Sequence, residues 1–94
     1  MLFALICRDK PGSLDTRLSN RPAHVDYLAA NAEIFIYAGP LLGADGETPV
    51  GSLLVIDVAD RAAAEAFAAG DPYAKAELFA DVEISATRQV FPKT

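Results

Sequence analysis

Two short stretches carry the residue types that acid/base chemistry needs. The first is Arg21-Pro22-Ala23-His24, which holds the single histidine of the chain. The second is Asp71-Pro72-Tyr73, which follows an alanine-rich helical segment. Histidine is the usual general acid/base near neutral pH. A carboxylate bonded to one ring nitrogen fixes the tautomer and supports the imidazolium. A His24–Asp71 pair in a pocket is therefore the best candidate for chemistry. Each residue also has a plainer reading: His24 is a structural or exposed helix residue, and Asp71 is a helix cap worth roughly 1 kcal/mol.

Elements must bring these stretches together. Leu2 to Cys7 is a continuous apolar run closed by charged residues and Pro11-Gly12, which reads as a strand buried on both faces. Pro22 suits a first helical turn, so the spacing predicts a helix from about Pro22 to Ala32. Val25, Leu28, Ala29 and Ala32 would be its buried stripe. Ile34 to Ala38 is the second strand, ended by Gly39-Pro40, and residues 41–50 form a polar loop. Ser52 to Val58 is the third strand. Asp60 caps a helix over Arg61–Ala69 that Gly70 closes. Asp71 and Pro72 start a short further turn, and Val82 to Phe91 is the last strand.

The order β-α-β-β-α-β is the ferredoxin-like split βαβ pattern. It predicts an α+β fold with a four-stranded antiparallel sheet, order 4-1-3-2, and both helices on one face. Following the chain up and down that sheet places Arg8 and Asp9, His24, Gly39-Pro40, Ser52, Asp71 and Glu83 at one end. At the helix N-terminus, His24 would feel a positive field that disfavours its protonated form, while Asp71 would favour it.

Six further residues are candidates for contact with a small molecule. Arg17 and Arg21 suit a carboxylate or enolate, Ser52 and Tyr73 offer hydroxyls, and Gly39-Pro40 closes the group. The plainer alternatives are solvated arginines, a packed tyrosine and a strand-start serine with no catalytic part.

Composition narrows the partners. The chain has 94 residues, read as one domain over 1–94, with 52% hydrophobic and 22% charged residues. Strands 1 and 3 are apolar on both faces, whereas an antiparallel sheet with one wet face should alternate. A second copy covering the helix-free face, as a two-fold homodimer, is the economical explanation. Strand 4 differs, with Glu83, Ser85, Thr87 and Gln89 on one face. A net charge of -5, from eight basic and thirteen acidic residues, gives no basic patch, so neither nucleic acid nor an anionic membrane is an expected partner. Nothing approaches the roughly 18 apolar residues of a transmembrane helix, and no basic region precedes the first apolar run. A cytoplasmic protein is the default reading. One histidine and one cysteine make a poor ligand set, so no metal or cofactor is expected. Cys7 reads as a small buried hydrophobe.

The motifs taken together are informative. Leu2-Phe3-Ala4-Leu5-Ile6, Asp9-Lys10-Pro11-Gly12-Ser13-Leu14, Arg17-Leu18, Arg21-Pro22-Ala23-His24, Ala38-Gly39-Pro40, Gly51-Ser52 and Asp71-Pro72-Tyr73 follow in order. This resembles the YciI-like (YCII-related) family over nearly the whole chain. The resemblance implies a dimeric α+β barrel and a site built on a His–Asp pair, mapping to His24 and Asp71. One group in that family acts on chlorinated hydroxyquinols, and muconolactone isomerases share its architecture. The expected function is a small enzyme using the pair on a small, cyclic or phenolic organic compound. The alternative is a non-catalytic dimeric module that binds a small molecule or another protein.

Overall fold

In a computed structural model, which describes residues 1–93, the chain forms β1 (Leu2–Asp9), α1 (Leu14–Ala30), a 3-10 turn (Ala32–Ile34), β2 (Phe35–Leu42), β3 (Pro49–Asp57), α2 (Arg61–Gly70), α3 (Pro72–Lys75) and β4 (Phe79–Thr87). The sheet runs β2-β3-β1-β4 with every pair antiparallel, which is the expected order. Phe3, Leu5 and Cys7 of β1 and Leu54 and Ile56 of β3 alternate toward the helices. They form the core with Ala64 and Phe67 of α2. At roughly 25 cal/mol per Å² of apolar surface, this layer is the main source of stability.

The first helix starts much earlier than Pro22. It begins at Leu14 and carries Pro22 inside. An interior proline leaves the carbonyl four residues back without its N–H partner. Pro22 lies on the exposed side, where water can take that bond. The buried side chains of α1 are Arg17 and His24, not the expected stripe of Val25, Leu28, Ala29 and Ala32. Val25 is 43% exposed, Ala29 and Ala32 are exposed, and Leu28 is half-buried. Polar groups face inward because the site lies beneath this helix.

The second strand does not stop at Gly39-Pro40. It continues to Leu42, with Pro40 opposite Ser52. β2 is an edge strand, and a proline costs little where the missing N–H faces no neighbour. The third strand correspondingly starts at Pro49 and the fourth ends at Thr87 rather than Phe91. The starts of α2 and α3 are as expected. Asp60 accepts from the amide of Ala63 at 2.9 Å, and Asp71 accepts from that of Tyr73 at 2.9 Å. Gly70 ends α2 in close quarters, since a Cβ there would stand 2.5 Å from the Tyr27 hydroxyl. That hydroxyl donates to the Phe67 carbonyl at 2.8 Å and ties α1 to α2.

Candidate active site

His24 sits well inside α1, so the expected helix-end field does not act on it. Its ring lies against the turn that joins α2 to α3. Nδ1 is 2.8 Å from Asp71 Oδ1, with both side chains almost wholly buried. An ionised carboxylate only accepts, so Nδ1 carries the proton and donates it. In the neutral imidazole this makes Nε2 the acceptor. It has no partner among the described residues, and none of their buried side-chain polar atoms is left unpaired, so Nε2 opens to the adjoining cavity. The oxygen that receives His24 is also the one that caps Tyr73. Capping and pairing are thus one arrangement rather than alternatives.

Tyr73 is buried and stacks on His24, with ring centroids 4.0 Å apart and planes 15° from parallel. Burial pushes its hydroxyl pKa up, as does Asp71, against the opposing pull of Arg17 and Arg21. The phenol is therefore neutral at ordinary pH.

Arg17 is 4% exposed, which excludes the solvated role. Its Nε donates to Asp9 Oδ2 at 2.7 Å and its Nη2 to Asp9 Oδ1 at 2.9 Å, a fork on a fork. Nη2 also donates to Ser52 Oγ at 3.1 Å. Burial pulls the guanidinium pKa down and the Asp9 carboxylate pushes it up, with the balance upward. Asp9 was missing from the candidates because its role depends on Arg17. The carboxylate ends a strand and its partner lies one turn into a helix. Only their both being buried makes them a pair.

The cavity in front of His24 Nε2 has a volume of ≈ 270 Å³. A space of about 150 Å³ already holds benzene, so this one suits a single substituted ring. Arg17, Arg21, His24, Gly39, Pro40, Ser52 and Tyr73 all line it, and Asp71 stands behind His24. Arg21 is exposed at its edge, and no ion-pair partner for it occurs among the described residues. The rest of the wall is apolar: Leu18, Val25, Leu28, Ala38, Pro49 and Leu54. Leu18, Arg21, Val25 and Leu28 recur at helical spacing, which is the sequence signal for this wall. Glu83 does not join the site. It lies on the helix-free face, where Arg8 reaches it at 3.5 Å. Cys7 lies beneath the site, and burial pushes its thiol up to about 12.

A ferredoxin-like α+β sheet with a buried His–carboxylate pair facing a ring-sized cavity defines a class of small α+β protein with its pocket between the first helix and the sheet. The chain belongs to the YCII-related domain family, whose model matches residues 1–88. It is 33% identical over 98 residues to protein YciI of Escherichia coli O6:H1, covering 97% of this chain and 100% of that one. A Haemophilus influenzae protein is 32% identical over 100 residues at the same coverage. Among solved structures, the fold matches 5-chloro-2-hydroxyhydroquinone dehydrochlorinase (TftG) from Burkholderia phenoliruptrix AC1100 in complex with 2,5-dihydroxybenzoquinone. The TM-score is 0.89 and the identity 34%, over 94% of each chain. An antibiotic biosynthesis monooxygenase shares the fold at a TM-score of 0.55 and 15% identity, over 96% of this chain and 99% of that one. No helix among the described residues is long and apolar enough to cross a membrane.

Proposed function

We propose that the protein is a small enzyme that moves a proton on a hydroxylated ring compound, with His24 as the acid/base. The observation that carries this is the 2.8 Å contact of His24 Nδ1 with Asp71 Oδ1 while Nε2 faces the cavity. Nε2 takes a proton from a ring hydroxyl, and the negative charge moves to the ring oxygen. Asp71 holds the resulting imidazolium. The same nitrogen returns the proton elsewhere on the ring or to a departing group. Arg17 and Ser52 stand at the inner wall, where the Ser52 hydroxyl proton and Arg17 Nη1 are not used in the Arg17 bonds described above. Arg21 supplies a further cation at the edge. These donors suit an oxyanion, and the apolar wall suits the ring. The similarity to a dehydrochlorinase solved with a dihydroxybenzoquinone supports the same substrate class here.

The working form is a homodimer. Leu2, Ala4, Ile6, Leu53 and Val55 point away from the helices, where Tyr37 is 51% exposed. A second copy's sheet would cover them.

The test is turnover. Chlorinated and plain hydroxyhydroquinones and hydroxyquinones are offered to the wild type and to His24→Gln. The wild type is expected to convert one of them, and the variant to lose about 10²–10⁴-fold in kcat/KM. Conversion indifferent to the substitution would end the acid/base reading. Sedimentation velocity checks the dimer, and a monomer at micromolar concentration would remove it.

A further inference from the structure

The hydrogen bond to Asp71 fixes one atom of His24. It leaves the imidazole free to tilt about that bond, and a tilt carries Nε2 away from the cavity. We propose that Tyr73 is a positioning residue that sets the plane of the His24 ring, clamped in turn by the Asp9–Arg17 pair. The idea rests on the acid/base reading of His24 and extends it to how that base is aimed.

Five contacts carry it. The Tyr73 ring lies 4.0 Å from the His24 ring and nearly parallel to it. Arg17 lies over the same tyrosine ring, with its guanidinium carbon 4.5 Å from the centroid. A ring face has room for one plane at such distances, so Tyr73 is held between the two. The helix explains the spacing. Arg17 and His24 are seven residues apart on one face of α1, about 10.5 Å along the axis, which leaves room for a single aromatic ring. The clamp is rigid on its outer side, because Asp9 and Ser52 together take three hydrogen bonds from Arg17. It is rigid at its root, because the Tyr73 amide is bonded to the same Asp71 oxygen that receives His24. Phe79 meets the tyrosine edge-on at 6.1 Å. A phenyl ring would serve the purpose, since the contact is made by the ring face. Arg17, assigned above to the inner wall, is thus chiefly a positioning residue.

The chain has one histidine, so its imidazole can be read alone. The experiment is ¹⁵N- and ¹³C-detected NMR of His24 in the free protein with the imidazole neutral. Wild type and Tyr73→Phe are expected to show one Nδ1–H tautomer, a rigid imidazole and ring protons shifted upfield by the stacked ring. Tyr73→Leu keeps the main-chain bond to Asp71 and removes the flat surface. It is expected to keep the Nδ1–H tautomer but to lose the upfield shift and to show a mobile imidazole, read as lowered order parameters at the ring carbons. Asp9→Ala/Arg17→Met keeps the net charge, removes the outer clamp, and is expected to move in the same direction. It serves should Tyr73→Leu fail to fold. An imidazole as rigid as that of the wild type in either variant overturns the proposal. On any converted substrate Tyr73→Leu should lose up to about 10²-fold in kcat with KM little changed. The acid/base reading fails separately, if His24→Gln keeps turnover while the wild-type imidazole shows the locked tautomer.

Discussion

Arg8 and Asp9 are neighbours in the chain, yet they serve opposite faces of the sheet. Arg8 reaches Asp81 at 3.2 Å and Glu83 at 3.5 Å, with all three side chains more than half exposed. Asp9 takes two bonds from Arg17, with both side chains 7% exposed or less. The residue types and distances are alike; the water is not. An exposed pair is screened and worth about 0–1 kcal/mol. A buried one is a poor source of net stability, but losing one partner strands a charge. The surface pairs decorate the sheet, whereas the buried pair builds a wall of the cavity.

The largest expected effect follows from that contrast. Asp9→Ala strands the Arg17 guanidinium and should cost about 3–5 kcal/mol, a large part of an ordinary stability of about 5–15 kcal/mol. Urea unfolding reads it directly, and a loss below 1 kcal/mol would place Asp9 with the surface charges. Asp71→Ala comes next. It removes the acceptor for both His24 and the Tyr73 amide, at about 1–3 kcal/mol for the groups left unpaired. Arg8→Ala should change stability by under about 1 kcal/mol, and that small change should shrink as salt is added.

Two titrations sharpen the same comparison. With its pKa raised from 9.0 to about 12 by burial, Cys7 should resist thiol reagents at pH 8 until the protein unfolds. The raised value also means that the folded state keeps a proton the unfolded chain releases, so stability is full below about pH 9 and declines as pH rises toward 12. Asp45 is the exposed counterpart. The Thr48 hydroxyl, with the Glu47 and Thr48 amides, lowers its pKa from 3.8 to about 2. Its contribution is present above 3.8 and lost as pH falls through about 2, so amide exchange in the 43–49 loop should rise only near pH 2.

These effects also mark which parts of the molecule were legible in the sequence. Asp60 and Asp71 could be read as caps because a cap is a local bond, made within three residues. Strand order followed from topology, which has few alternatives for this element pattern. The extent of α1 was hidden because Pro22 obeys a local rule that the buried anchors Arg17 and His24 override. β2 ran past Gly39-Pro40 because its edge position, set by the whole sheet, removed the cost of a proline. The residues of the site were visible by type, and six of the eight are brought to the cavity wall as side chains, Gly39 by its main chain, and Asp71 one layer behind. Asp9 was not visible, since its role appears only when strand end and helix are folded against each other.

The proposed chemistry depends above all on His24 facing a cavity that takes a ring oxyanion. One titration tests it: 2,5-dihydroxybenzoquinone added to the wild type, followed through the side-chain resonances of His24. A saturable shift of the imidazole signals is expected, with concerted shifts at Ser52 and Tyr73. Unmoved imidazole signals while the ligand binds elsewhere, or does not bind at millimolar concentration, would contradict it.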